Sequence, residues 1–167
     1  KEIIKKQEQL LKDQQDELDR IAGIRSDLVA ALRDEFAGSS LNVKVDEKTG
    51  AITFDASVLF DVADSDLKEE GKTFLKEFLP KYCKVLLDEK YRDYVSEIII
   101  EGHTDTNGSY IYNLELSQQR AFSVAKYCLT ESNGIISSTD VELLRSVLTA
   151  NGKSYSNPIY KEDGSVD

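Results

Sequence analysis

Three consecutive isoleucines, Ile98–Ile100, form the strongest strand pattern in the chain and constrain its fold more than any other feature. A run of β-branched residues favours a central strand that is covered on both faces. A polar, glycine-containing loop follows it directly, and Ser109 can cap a helix after that loop. One face of this helix carries small and apolar residues at helical spacing: Leu114, Ser117, Ala121, Val124, Ala125 and Cys128. The pattern therefore predicts a helix that packs on a sheet, with the polar loop held at the end of a rigid strand.

Other patterns complete the order of secondary-structure elements. They are a β-hairpin around the turn Asp46–Gly50, a short apolar segment Val58–Phe60, a helix capped by Asp66 and Glu69 that Pro80 kinks or divides, a helix capped by Thr139 and Glu142, and a strand opened by Val147–Ala150. The order hairpin, helix, strand, helix, helix, strand predicts an α+β fold with helices layered on a mixed sheet.

The sequence of residues 1–38 predicts an amphipathic helix, which precedes the domain of residues 39–167. Its apolar residues fit a heptad pattern with a at positions 4, 11, 18, 25 and 32 and d at positions 7, 14, 21 and 28. Gln7, Gln14 and Arg25 nevertheless place polar side chains in that seam. We expect a dimerising helical stalk, and the alternative is a single helix packed on the following domain.

The charge balance argues against two classes of partner. The chain has 21 basic and 31 acidic side chains, a formal net charge of −10. Neither a nucleic acid nor an anionic membrane surface is expected to bind such a chain, since both attract clustered basic residues. No stretch approaches the ~18 apolar residues of a membrane-spanning helix. Because the first residue is Lys1 and not methionine, we expect a fragment whose targeting region is absent.

The reactive side chains give little support to catalysis or metal binding. His103 is the only histidine, and the common motifs of hydrolases and nucleotide-binding enzymes are absent from the sequence. A zinc site needs three or four ligands, so we expect no metal, no other cofactor and no enzyme activity. Cys83 and Cys128 are too few for a disulfide framework, and they are interpreted as buried thiols, with a single bridge as the alternative.

Asp105 in the loop and Arg120 in the following helix carry opposite charges that approach each other if the helix runs back beside the loop. A carboxylate and a guanidinium can then hold a ligand that carries both an ammonium and a carboxylate. Alternatively, the two side chains pair only with each other, and their spacing alone favours this structural pair.

The segment from residue 101 to 121 resembles the signature of the OmpA-like peptidoglycan-binding domain family. The matching residues are Gly102, His103, Thr104, Asp105, Gly108, Asn113, Leu116, Ser117, Arg120 and Ala121. Phe54–Leu67 resembles the family's first strand and helix entry, and Gly152–Pro158 resembles its late glycine loop. The resemblance covers residues 41–167, but the arginine-containing strand that usually follows the glycine loop is not recognisable before the chain stops.

This resemblance implies a two-layer βαβαβ domain that binds the peptide stem of peptidoglycan without covalent chemistry. It implies that Asp105 and Arg120 grip diaminopimelate through its amine and carboxylate. It also implies that Thr104, Asn113 and Leu116 line the same groove, and that Asp61 lies in the facing loop.

The charged N-terminal helix is most similar to the linkers of MotB/ZorB-type stator anchors. By that resemblance we expect an extracytoplasmic cell-envelope anchor for a membrane complex. We expect the anchor to be a homodimer, and to be joined to a transmembrane segment that is absent from this chain. The alternative is an OmpA-like fold used as a protein–protein interaction module without peptidoglycan binding.

Overall fold

The computed structural model describes residues 1–130 and 134–155. The chain divides into two units, Lys1–Phe54 and Asp55–Asp167. The end of the predicted glycine loop, and the place where the family's last strand was expected, lie outside the described residues.

The first unit begins with one continuous helix, α1 (Glu2–Ala37), which confirms the predicted N-terminal helix. Its C-terminal third buries Val29, Leu32 and Phe36. The part before these residues leaves large apolar side chains exposed: Ile3, Ile4, Leu10, Leu11, Leu18 and Ile21. No helix of the described ranges has an apolar stretch sufficient to cross a bilayer.

The predicted hairpin follows α1 as two short antiparallel strands, β1 (Lys44–Val45) and β2 (Ile52–Thr53). Its turn is held by Asp46, whose carboxylate accepts hydrogen bonds of 2.8 Å from the backbone N–H groups of Lys48 and Thr49. Gly50 adopts a φ of 73°, and a Cβ there would lie 3.2 Å from Cγ2 of Val29. The turn therefore needs glycine both for its backbone and for its approach to α1.

In the second unit, helix α3 (Glu69–Leu86) begins later than predicted. The capping box of Asp66 and Glu69 is wrong, because Lys68 occupies the N-cap position without a side-chain cap. The backbone N–H of Lys68 instead donates to the carbonyl of Leu59 at 2.8 Å, which closes a loop before the helix starts.

The predicted apolar segment Val58–Phe60 mostly belongs to a short helix, α2 (Ala56–Leu59). Gly71 allows α3 to pack on this helix, since a Cβ there would lie 2.7 Å from Cα of Leu59. Pro80 lies inside α3 without dividing it.

The strand β3 (Ile98–Gly102) pairs in parallel with β4 (Leu148–Gly152). This pair and the hairpin are two separate two-stranded sheets within the described ranges. Ile98 is buried but Ile99 is 47% exposed, so the expectation that β3 is covered on both faces is wrong. The predicted α+β class with an N-terminal helix is confirmed.

Two helices, α4 (Tyr110–Leu129) and α5 (Ser138–Val147), connect β3 to β4. The predicted cap of α4 is confirmed, because Oγ of Ser109 accepts a hydrogen bond from the backbone N–H of Tyr112 at 3.1 Å. The predicted capping box of α5 is wrong, since Ser137 caps this helix by accepting from the backbone N–H of Asp140.

Paired glycines at the ends of β3 and β4 allow α4 to lie directly on the two strands. Gly102 and Gly152 are neighbours in the parallel register. A Cβ on Gly102 would collide with the carbonyl oxygen of Ser117, and one on Gly152 would lie 2.5 Å from the backbone nitrogen of Gln118. Ser117 itself is fully buried between them.

The interior of the second unit includes both cysteines. Cys83 and Cys128 are buried and free, which confirms the prediction of buried thiols. Burial raises the pKa of each thiol to about 12, and nearby acidic groups contribute to the shift at Cys83.

Replacing Gly102 by alanine tests the close approach of α4. We expect Gly102→Ala to lower the free energy of unfolding by about 3 kcal/mol, because the Cβ meets backbone atoms that cannot rotate away. Gly23→Ala is the matched control, since a Cβ at Gly23 has nothing within 4 Å, and it should be neutral or stabilising. Urea unfolding followed by circular dichroism measures the free energy of unfolding of both variants. Equal effects of the two substitutions would contradict the close packing of α4 on Gly102.

The raised pKa values of the two thiols predict low reactivity. The thiolate is the reactive form, so Cys83 and Cys128 should resist iodoacetamide at neutral pH while the chain is folded. Both should be labelled once the chain is unfolded in urea, as measured by mass spectrometry. Rapid labelling of either thiol in the folded chain would show that it is not held in a buried, protonated state.

Candidate functional site

The loop between β3 and α4 is held in place by the segment that leaves β4. The backbone N–H of Lys153 donates to the carbonyl of Gly102 at 2.8 Å, and that of Thr104 donates to the carbonyl of Ser154 at 2.9 Å. These bonds extend the parallel pairing past the ends of both strands. They fix the backbone immediately before Asp105.

A buried pair of serines ties the same two segments to α4. Ser117 accepts a hydrogen bond of 3.0 Å from the backbone N–H of Ser154. The hydroxyl of Ser154 donates to the carbonyl of Tyr110 at 2.9 Å. Both serines are fully buried, and Ser154 has a φ of 50°, an uncommon conformation for a residue with a side chain.

Asp105 is exposed at the end of this framework, and its carboxylate is oriented by Asn107. The backbone N–H of Asn107 donates to one carboxylate oxygen at 3.0 Å, and the side-chain amide donates to the other at 3.1 Å. Asp105 is therefore held in one orientation while it still faces solvent.

Arg120 projects from α4 towards the loop between α2 and α3. Its Nε donates to the carbonyl of Asp64 at 2.8 Å, and one Nη donates to the carbonyl of Asp61 at 3.1 Å. The guanidinium carbon lies 5.2 Å from the centre of the buried Phe60 ring, within the range of a cation–π contact. A guanidinium has five N–H donors, and the described residues accept from two of those of Arg120.

The charge of Asp105 acts on Arg120, although the two form no ion pair in the described part of the chain. Partial burial lowers the pKa of the Arg120 guanidinium, and Tyr112, Asp64 and Asp105 oppose this shift. Arginine remains protonated at physiological pH. A carboxylate and a guanidinium thus lie near each other while each is held by other groups, so the alternative that they only pair with each other is wrong.

The other predicted site residues take different positions. Asn113 is buried, and its amide donates to the carbonyls of Asn107 at 2.7 Å and Ser109 at 3.1 Å. Thr104 is also buried, and its hydroxyl has no hydrogen-bond partner among the described residues. Leu116 is half-buried on α4. Contact of these three side chains with a ligand remains a prediction.

Asp61 lies in the loop between α2 and α3 that contacts Arg120. Its side chain is exposed, and its carboxylate lies 3.7 Å from Nζ of Lys68. Its carbonyl, and not its carboxylate, is the group that contacts Arg120. The predicted role of the Asp61 side chain in ligand binding is therefore still a prediction.

His103 contacts a neighbour on the same strand end. Its Nε2 lies 3.1 Å from a carboxylate oxygen of Glu101. Within residues 1–130 and 134–155 no three His, Cys, Asp or Glu side chains are grouped as metal ligands would be.

Sequence reasoning missed three residues that shape the site. Asn107 orients Asp105, Phe60 lies against Arg120, and Ser123 donates to the carbonyl of Ser65 at 2.7 Å, which ties the same loop to α4. Asn107 belongs to the Asn-Gly turn signal, but that signal predicts only a turn. The contacts of Phe60 and Ser123 bridge distant parts of the chain and leave no local pattern.

Comparisons with known proteins support the resemblance seen in the sequence. The model of the OmpA family matches residues 59–164. The Zorya protein ZorB of Escherichia coli, strain ATCC 8739, is 32% identical over 148 residues, which cover 82% of this chain and 61% of that protein. Outer membrane protein A of Shimwellia blattae is 35% identical over 112 residues, or 67% of this chain and 40% of that protein. The chain thus spans less than two thirds of the length of either relative.

A solved structure of a MotB-like protein from Desulfovibrio vulgaris matches with a TM-score of 0.52. The match covers 90% of this chain and 87% of the other, with 20% sequence identity. At this identity the likeness is one of fold.

Proposed function

The chain belongs to the OmpA family, and on this premise we propose that its second unit binds the peptide stem of peptidoglycan and anchors a membrane protein complex to the cell wall. The binding is non-covalent and involves no catalysis. The observation that carries the proposal is the separation of charge at the site. Asp105 and Arg120 lie close enough to interact electrostatically, yet other groups hold each of them.

Two opposite charges held apart suit a ligand that carries both an amine and a carboxylate. Diaminopimelate in the peptide stem has such a zwitterionic centre. Its ammonium pairs with the carboxylate of Asp105, and its carboxylate takes the remaining donors of Arg120. A guanidinium is well matched to this task because its planar fork binds carboxylates through two parallel hydrogen bonds.

Arg120 is already restrained before a ligand arrives. The carbonyls of Asp61 and Asp64 and the ring of Phe60 hold its side chain, so less conformational entropy is lost on binding. Partial burial also strengthens its attraction to a carboxylate, because the effective dielectric constant is lower there.

The anchor role follows from the kinds of protein to which the chain is similar. ZorB and the MotB-like protein suggest an ion-driven stator as the membrane complex. We place the second unit outside the cytoplasm, in the cell envelope, where peptidoglycan lies. The membrane-spanning segment would belong to a part of the protein outside this chain, and ZorB is longer than the chain.

The N-terminal helix supports a homodimer in this proposal. Ile4, Leu11 and Leu18 recur every seven residues and are 59%, 65% and 62% exposed. Two such helices side by side would bury this seam, as in a coiled coil.

Co-sedimentation of the 167-residue chain with purified sacculi tests the binding site. Asp105→Ala and Arg120→Ala should each weaken binding about tenfold or more, because each removes a charged partner of the ligand. Glu115→Gln is the control for Asp105, since it removes an exposed negative charge elsewhere on α4. Lys126→Ala is the control for Arg120, since it removes an exposed positive charge elsewhere on the same helix α4.

The outcomes separate the proposal from its alternative. Loss of binding in both site variants but in neither control supports the assignment. Failure of the unaltered chain to pellet with sacculi would favour an OmpA-like fold that binds a protein partner instead.

Analytical ultracentrifugation tests the dimer. The double variant Leu11→Asp and Leu18→Asp should shift the chain from dimer to monomer, because it places four carboxylates in the seam of a two-stranded coil. Val62→Asp is the control, since Val62 is 98% exposed and lies in the second unit. A monomeric unaltered chain at every concentration would contradict the dimer.

A further inference from the structure

We propose that Asn107 is a specificity-determining residue of the peptidoglycan site, which selects stems whose side-chain amine is free. It orients the carboxylate of Asp105 and offers its own amide oxygen as a further acceptor for the ligand ammonium. This inference rests on the proposed function and adds a residue that the family signature does not include.

The hydrogen bonds of Asp105 determine which way the Asn107 amide faces. An ionised carboxylate only accepts hydrogen bonds, so the Asn107 atom that lies 3.1 Å from it is the donating Nδ2. The amide oxygen Oδ1 of Asn107 therefore points away from the Asp105 oxygen that Nδ2 contacts. Both residues are exposed, and in this proposal the amide oxygen and the carboxylate contact the same ligand ammonium.

The backbone of Asn107 is fixed from the buried side. Its carbonyl accepts a hydrogen bond of 2.7 Å from the amide of Asn113, which is 3% exposed. Gly108 follows with a φ of 86°, a conformation that glycine adopts without strain. Asn113 therefore holds Asn107, which in turn holds Asp105, so the orientation of the carboxylate depends on both asparagines.

This arrangement matches a primary ammonium better than any neutral nitrogen. An ammonium has three N–H donors and a positive charge. The two oxygens of Asp105 can each accept a further hydrogen bond, and Oδ1 of Asn107 supplies a third acceptor. An acetylated amine keeps one N–H donor and no charge, so it loses most of these contacts.

Isothermal titration calorimetry with two ligands tests the inference on the 167-residue chain. One ligand is the tripeptide L-alanyl-γ-D-glutamyl-meso-diaminopimelate, and the other is the same peptide acetylated on its free side-chain amine. The unaltered chain should prefer the free amine about tenfold or more, and Asn107→Ala should reduce this preference about fivefold. Asn107→Asp retains a side-chain oxygen and adds a negative charge. Its preference for the free-amine peptide should therefore stay above that of Asn107→Ala.

Thr106→Ala is the matched control, because Thr106 is an exposed neighbour in the same loop. It should leave the preference for the free amine unchanged. If Asn107→Ala weakens both ligands equally, or neither, the residue has no role in selecting the amine and the inference is wrong while the proposed function stands. If the unaltered chain binds neither ligand, the proposed function itself fails and the inference fails with it.

Discussion

The contact of α4 with the ends of β3 and β4 is the constraint on which the second unit depends. Gly102 and Gly152 lie side by side, and their missing side chains allow the backbone of α4 at Ser117 to touch both strands. The two chain segments that leave these strands are consequently held together. The loop that carries Asp105 starts from a position set by backbone packing, which is more rigid than side-chain packing.

The two charges of the candidate site depend on this framework in different ways. Asp105 is oriented within its own loop by Asn107, whereas Arg120 is restrained by a loop from another part of the chain. If they were free to move, they could neutralise each other. Separate restraints keep both charges available, at a cost in solvation that is evident in the lowered pKa of Arg120.

Local sequence rules predicted those features that local contacts determine. Ser109 was identified as the cap of α4 because capping depends on residues within one turn. The start of α3 was misplaced because the Lys68 bond to Leu59 and the packing of Gly71 are tertiary contacts. The cap of α5 was misplaced because Ser137 lies in a run of hydroxyl residues that all suit the role. The family motif identified Asp105 and Arg120, but it did not predict the carbonyls of Asp61 and Asp64 that hold Arg120.

Arg120 contacts the loop between α2 and α3 through main-chain oxygens, and this has a consequence for sequence variation among relatives. Every residue has a carbonyl, so the side chains of residues 61–64 can be exchanged without loss of these two hydrogen bonds. What must be conserved is the path of the backbone, including the left-handed conformation of Ala63 at a φ of 60°. Relatives can therefore share this contact while an alignment of their sequences gives no sign of it, and the loop is free to diversify around a constant arginine.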